Sequence, residues 1–374
     1  MSQLTGRLAD GSTATVSWDG DRITSIEASS DAAEGLLLPG LVDIQVNGYA
    51  GFDVNAVDLD TATMRSYVDA LAARGTTSSC PTVITATHES IVASLTGVAR
   101  AVREDPVVAA SVLGIHVEGP YLSTVPGAVG AHNGTVMHDP DPAELAEWIE
   151  AAEGLLRWVT LAPERPGTGA YIEAATKAGV RISVGHCDAS PEDIHAAADA
   201  GATMCTHLGN GIQPELPRHP NQIWSQLAED RLHAGFIGDG HHLPADAFVA
   251  MLRAKGLERS YLVSDAATLA GVEPGIYQTP VGGEVEVTAD GAIKLVGRPG
   301  LAGSGACLAQ CLEWITTSTP YSLTEILPLA TSQPADLVGA HDRGRLEVGA
   351  VADLVLFSED WQVQQVVRAG QPLT

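Results

Sequence analysis

Lysine is nearly missing from this chain. Only Lys177, Lys255 and Lys294 occur among 374 residues, and Lys and Arg together number 20 against 46 Asp and Glu. The net charge of −26 repels nucleic acid and anionic membrane, so neither is expected as a partner. A small anionic ligand needs only a few local cations and stays open. No run approaches the roughly 20 apolar residues of a membrane span, and Met1 to Arg22 lacks the basic patch and apolar stretch of a secretory signal. Cysteine is scarce as well. Cys80, Cys187, Cys205, Cys307 and Cys311 are odd in number and show no CxxC spacing, which suits free buried thiols in a reducing compartment. The expectation is a cytoplasmic location. Cys187 and Cys205 lie near two histidines taken up below; small apolar packing is preferred for them over a thiolate ligand role.

What is present is enough for a sizeable core: 45% of residues are apolar and the mean hydropathy is slightly positive. The length allows one large α/β domain with an appendage, or two medium domains. At the N-terminus, Thr13–Trp18 and Arg22–Ile26 flank Asp19-Gly20-Asp21, a hairpin signal. The C-terminus reads similarly, with Arg345–Val348, a turn at Gly349, Ala352–Phe357 and Gln362–Val367 as candidate strands. Two all-β ends around an alternating middle predict a small discontinuous β-sandwich made of residues 1–38 and 335–374.

Between them, at 39–334, eight candidate strands alternate with stretches of helical spacing such as Ala62–Ala73, Pro142–Ala152, Pro191–Ala200 and Ala245–Lys255. The strands are Leu41–Asn47, Thr76–Val83, Val112–Glu118, Leu156–Ala162, Ile182–His186, Thr203–His207, Ala234–Asp239 and Tyr261–Asp265. This alternation predicts an α/β fold, a (β/α)8 TIM-like barrel. An open doubly wound sheet is the runner-up, but it gives no reason for acids and histidines at so many strand ends. The Gly-rich Leu301–Gly305 region after the eighth strand reads as loop and the start of a final helix.

Glu118, His186, His207 and Asp265 each close a short apolar run. In a barrel they converge above one mouth. One carboxylate and two imidazoles are a zinc-type ligand set with a coordination position left for water. Taken alone, Glu118 reads equally well as a salt bridge to a rim arginine, and Asp265 as a helix N-cap. Two histidines with a glutamate from a third strand are hard to explain without a divalent metal: zinc first, given the nitrogen-rich donors, then Fe2+ or Mn2+. Asp265 is better placed as the base that takes a proton from water and returns it to a leaving nitrogen.

The chain carries, in order, Leu38-Pro39-Gly40-Leu41-Val42-Asp43, His116-Val117-Glu118-Gly119-Pro120, Gly130-Ala131-His132, Leu161-Ala162-Pro163-Glu164, Gly185-His186, Thr206-His207-Leu208 with Asn210, Asp239-Gly240 with His242, Val263-Ser264-Asp265, Leu301-Ala302-Gly303-Ser304 and the tail Gly349 to Phe357. In this order and spacing, the pieces resemble the amidohydrolase superfamily and, within it, the N-acetylglucosamine-6-phosphate deacetylases. The resemblance spans nearly the whole chain. It implies hydrolysis of an acetamide, with Glu118, His186 and His207 holding the metal and Asp265 moving the proton. Many superfamily members carry His-x-His after strand one and a bridging carboxylated lysine. Here Gln45-Val46-Asn47 stands in the first place and no lysine ends a barrel strand, so one metal is implied. Gln45 and Asn47 are left to touch a second ion or to hydrogen-bond within the barrel.

The resemblance also implies a substrate site for a phosphorylated amino sugar. Arg218 and His242 match phosphate-holding positions, Asn210 and Gly211 the loop that completes the cradle, and His132 a residue that contacts the sugar or acyl group. It implies a homodimer in which Arg218 reaches the neighbouring subunit's site. Independently of it, Arg218, His219 and His242 read as an anion trap in an acidic chain. Gly209-Asn210-Gly211-Ile212 departs from the family's usual aromatic-asparagine-alanine-methionine run, which leaves the sugar open. The alternatives are another N-acyl amino sugar or unphosphorylated amide, a non-catalytic binding or assembly barrel, and a deaminase, which would want the strand-one histidines.

Overall fold

The structure is a computed structural model describing residues 2–30, 35–279, 283–297 and 300–373; Met1 and Thr374, the outermost residues of the expected terminal domain, lie outside them. Eight strands form a parallel barrel: β1 Leu41–Val46, β2 Thr76–Ile84, β3 Ile115–Glu118, β4 Leu156–Leu161, β5 Arg181–Val184, β6 Met204–Cys205, β7 His233–Ile237 and β8 Ser260–Val263. Asp265 N–H donates to Gln45 C=O at 2.9 Å and Ala266 bridges Val46, which joins the last strand to the first. All eight expected strands are present, each shifted at its ends by a few residues at most.

The helices between them start and stop where side chains can satisfy free backbone groups. Ser190 and Asp193 form a reciprocal capping box ahead of Pro191–Ala200, and Gly201 at φ 118° ends that helix. Its Ile194, Ala197 and Ala198 face the core. The barrel interior is partly polar. His116 stacks on Trp158 with ring centroids 3.5 Å apart, and its Nε2 meets Thr160 Oγ1 at 2.8 Å. Thr160, Thr206 and Ser183 hydroxyls continue the chain at 2.7 Å each. Burial pushes the His116 imidazole down to about 3, so it is a neutral core residue rather than part of the mouth.

The two chain ends meet in one seven-stranded sheet. Leu36–Pro39 sits in its middle, parallel to Ser2–Arg7 and antiparallel to Leu354–Phe357. The expected hairpin is present, with Asp19 paired to Arg22 across the Gly20-Asp21 turn. The sheet curls so that Arg22 bridges Val351 and Trp18 Nε1 donates to Gly370 C=O at 2.9 Å, enclosing Leu4, Val16, Trp18, Leu37 and Val367. The strand expected at Arg345–Val348 does not form: Arg345 is drawn to the Asp336 carboxylate, and Val348 is 67% exposed. Near residue 335, the helix Ser332–Leu337 packs against β1 and β8.

One element was not anticipated. After β8 the chain builds a three-stranded antiparallel flap, β9 Gly275–Thr279, β10 Gly283–Val287 and β11 Ile293–Leu295, where only loop was expected. The Glu284-Val285-Glu286-Val287 alternation and the Asp290-Gly291 turn are the hairpin signal that carries it.

None of the three lysines ends a barrel strand. Lys177 lies in the helix Thr168–Lys177, and Lys294 lies on the flap. Lys255 closes Ala245–Lys255 and is fully buried, its Nζ donating to Gln226 and Glu229 carbonyls at 2.8 Å each. Replacing Lys255 with methionine keeps the volume and strands both carbonyls. Urea unfolding is expected to show a loss of about 1–3 kcal/mol; an unchanged midpoint would rule out this capping role.

Candidate active site

Glu118 ends β3, whereas His186, His207 and Asp265 each stand two residues beyond their strands, which end at Val184, Cys205 and Val263. All three adopt left-handed backbone conformations, with φ of 48°, 29° and 50°. Each such residue costs on the order of 1–3 kcal/mol, held in place by the surrounding ladder. The kink turns each side chain from the strand into the mouth. After Glu118 the turn needs Gly119, at φ 86°, because a Cβ there would stand 2.1 Å from Thr85 Oγ1.

The expected ligands come together. His207 Nε2 lies 3.2 Å from Glu118 Oε1 and 3.0 Å from His186 Nε2, and His186 Nε2 lies 3.5 Å from Glu118 Oε1. The three form a candidate metal group, all of them buried. A tetrahedral ion with bonds of ~2.0–2.1 Å has ligand atoms about 3.3 Å apart, so the donor spacing fits one. The His186 Nδ1–H donates to Ala128 C=O at 2.8 Å, which leaves its Nε2 lone pair facing the group. Gly211 and Gly130 pack against that ring; a Cβ on Gly211 would meet His186 Nδ1 at 2.7 Å. Burial raises the Glu118 carboxyl, but the neighbouring His186 and His207 imidazoles outweigh it and hold the group well below the usual range.

Gln45 uses both hydrogens of its side-chain amide. Nε2 donates to Glu118 Oε1 and to Asp265 Oδ1, each at 3.1 Å, and Asn47 Nδ2 adds a bond to Asp265 Oδ1 at 2.9 Å. The strand-one pair therefore hydrogen-bonds within the barrel and spaces the two carboxylates apart. Burial, then the charge on Glu118, raises the Asp265 carboxyl above its ordinary value. That direction suits a group that must both accept and return a proton.

The residues expected to bind substrate separate into two sets. His132, Asn210, Gly211 and His242 line one cavity of about 1180 Å³ with Glu118, His186, His207 and Asp265. His132 Nε2 is 3.3 Å from His186 Nε2, and burial, with the neighbouring His186, pushes it down to about 3. His242 Nδ1–H donates to Asp239 Oδ2 at 2.7 Å, which fixes the ring. Burial would raise Asp239; the bonds from His242 and the His241 and His242 backbone bring it to about 2. Arg218 does not join them. It is exposed, as is His219, and neither is among the described residues lining the cavity. The expected Arg218–His219–His242 cluster thus does not assemble within one chain: the stretch from Pro217 to Pro220 is exposed, whereas His242 is half-buried in the cavity. Cys187 and Cys205 are buried, with Cys187 Sγ donating to Gln222 Oε1 at 2.8 Å, and neither is in the metal group. Sequence reasoning missed the flap residues Gln278, Thr279, Val285, Ile293 and Leu295, which close one side of the same cavity.

A model of the amidohydrolase family matches residues 36–373. The chain belongs to the amidohydrolase family. This amidohydrolase is 33% identical to the N-acetylglucosamine-6-phosphate deacetylase of Bacillus subtilis, over 96% of its own length and 90% of the relative. It is also 33% identical to the N-acetylgalactosamine-6-phosphate deacetylase of Escherichia coli O157:H7, over 98% and 93%. Among solved structures, a mutant N-acetyl-D-glucosamine-6-phosphate deacetylase from Mycobacterium smegmatis, in complex with N-acetyl-D-glucosamine-6-phosphate, superposes with a TM-score of 0.89 at 30% identity, covering 100% of this chain and 99% of that one.

Proposed function

We propose that this amidohydrolase hydrolyses the acetamide of N-acetylglucosamine 6-phosphate, releasing acetate and glucosamine 6-phosphate. The observation that carries the reading is the meeting of Glu118, His186 and His207 at metal-ligand spacing, with Asp265 beside them in the same cavity. Relatives of about 33% identity over nearly the full chain support the substrate class. Glu118, His186 and His207 would hold a divalent ion, zinc by donor type, which would supply Lewis acidity when bound.

The protein's own groups do the rest. Asp265, held by Gln45 and Asn47, accepts the proton of the attacking water and returns it to the amine nitrogen as the C–N bond breaks. His132, kept neutral by burial, offers an N–H to the carbonyl oxygen as charge develops there. His242, Asn210 and Gly211 hold the phosphate end away from the metal group. Arg218 completes that cradle from a second subunit, so the working form is a homodimer; its exposed position on an outward loop fits this role. Residues 39–334 form the catalytic unit and 1–38 with 335–374 the accessory one. The five buried free thiols suit the cytoplasm.

N-acetylgalactosamine 6-phosphate is the second reading, favoured by a relative of equal identity named for that substrate and by the glycines that replace the bulkier run after His207. Acetate release from the two phosphorylated sugars and from plain N-acetylglucosamine separates the readings. Equal rates with and without phosphate would defeat the phosphate assignment, and no release from any of them by zinc-loaded protein would return the chain to a binding role. His242→Ala is expected to raise KM for the phosphorylated sugar by roughly 10- to 100-fold, the worth of a hydrogen bond to a charged group, with a smaller change in kcat. A fall confined to kcat would move His242 out of the phosphate site.

A further inference from the structure

The cavity is larger than an N-acetylhexosamine phosphate requires. Its volume of about 1180 Å³ exceeds the roughly 300–1,000 Å³ of common ligand sites. The surplus has a direction. With the phosphate end held by His242, Asn210 and Gly211, the sugar lies on the side of β6 and β7. A secondary amide is trans, so its acyl carbon points away from the nitrogen substituent. The acyl chain therefore runs toward the opposite wall, above β8, β1 and β2.

That wall belongs to the flap root and carries an apolar strip alongside the polar Asn47, Thr85 and Thr268. Leu301, Ala302, Ala267 and Leu269 line it, with Val83 and Ile84 from the end of β2. It is stitched to the catalytic aspartate through the backbone. Ser304 N–H donates to Asp265 C=O at 3.1 Å, and Ala267 N–H donates to Ser304 C=O at 2.9 Å. Leu301 bridges Lys294, and Ala302 N–H donates to Ile293 C=O at 2.9 Å. The wall is thus continuous from Asp265 to β11. Ala302, Ala267 and Leu269 pack against the flap's own cluster of Val285, Val287, Ile293 and Leu295, of which Val285, Ile293 and Leu295 also line the cavity.

We infer that this wall is an acyl-chain pocket, and that the enzyme is a deacylase taking N-acyl hexosamine 6-phosphates longer than acetyl. The inference rests on the deacetylase reading above and extends its substrate class. The test compares kcat/KM for N-acetyl, N-propionyl and N-butyryl hexosamine 6-phosphates with the zinc-loaded full chain. The longer chains are expected within about threefold of acetyl, whereas a pocket closed around one methyl group rejects each added methylene by roughly tenfold or more. Leu301→Trp, with Ile84→Trp as a second variant from the facing strand, is expected to lower the butyryl-to-acetyl ratio at least about tenfold by filling the wall. Metal content and a thermal melt show that each variant is folded. Hydrolysis of acetyl with rejection of propionyl overturns this inference alone, as does an unchanged ratio in both folded variants. Failure on every substrate, acetyl included, overturns the deacetylase reading and this one with it.

Discussion

Replacing Asp265 with asparagine is expected to cut kcat by on the order of 10²–10⁴-fold while leaving the metal content intact. The separation follows from the geometry. Asp265 is not in the Glu118–His186–His207 group, and its Oδ1 is held by Gln45 and Asn47 from strand one. Asparagine keeps the size and accepts the same two hydrogen bonds through its amide oxygen, so the site stays assembled. What it lacks is a carboxylate to take the proton from water and hand it to the amine. Single-turnover hydrolysis together with metal analysis reads both quantities. Near-normal turnover would remove Asp265 from the chemistry; loss of metal would make it a ligand instead.

Removing His207 has the other large effect. His207 lies within 3.2 Å of Glu118 Oε1 and 3.0 Å of His186 Nε2, so His207→Ala leaves two donors where three were grouped. The expected outcome is protein isolated without stoichiometric metal and without measurable acetate release. In the wild type, chelation should abolish activity and added zinc restore it. The melt should respond too, because an ion that binds only the folded state at about 1,000 times its Kd adds ~4 kcal/mol. Wild-type protein that keeps full activity after exhaustive chelation and metal analysis would sink the metal site.

Much of this was legible in the sequence because apolar runs ending in a chemical residue are short-range signals. All eight barrel strands and the helices at Pro191 and Ala245 follow from spacing and caps that the sequence displays. The site residues were also legible, since Glu118, His186, His207 and Asp265 break apolar runs abruptly. The left-handed kinks at His186, His207 and Asp265 are not, because nothing in a strand's periodicity says that it stops two residues early. The flap was missed for a different reason. Its alternating Glu284–Val287 run sits among glycines and reads as loop; only pairing with Gly275–Thr279 on one side and Ile293–Leu295 on the other makes it a sheet. Arg345–Val348 failed the opposite way, since its alternation is real but Arg345 is drawn to Asp336. Arg218 illustrates a third limit: it is exposed and does not line the cavity that His242 lines, and the course of a loop this long is no short-range signal.

The seven-stranded sheet has a consequence for how the molecule is made. Its middle strand, Leu36–Pro39, leaves the ribosome before any barrel strand, while its neighbour Leu354–Phe357 comes after all eight. The barrel can therefore close while that strand still has an open edge, the kind of edge that recruits other chains. Arg368 ends the wait: its guanidinium donates to Asp69 at 2.7 Å and to the Val68 carbonyl on the first barrel helix, buttoning the last strands onto the barrel. Synthesis of this protein thus has a vulnerable interval whose length is set by some 300 intervening residues, and it is the tail, far from any chemistry, that ends it.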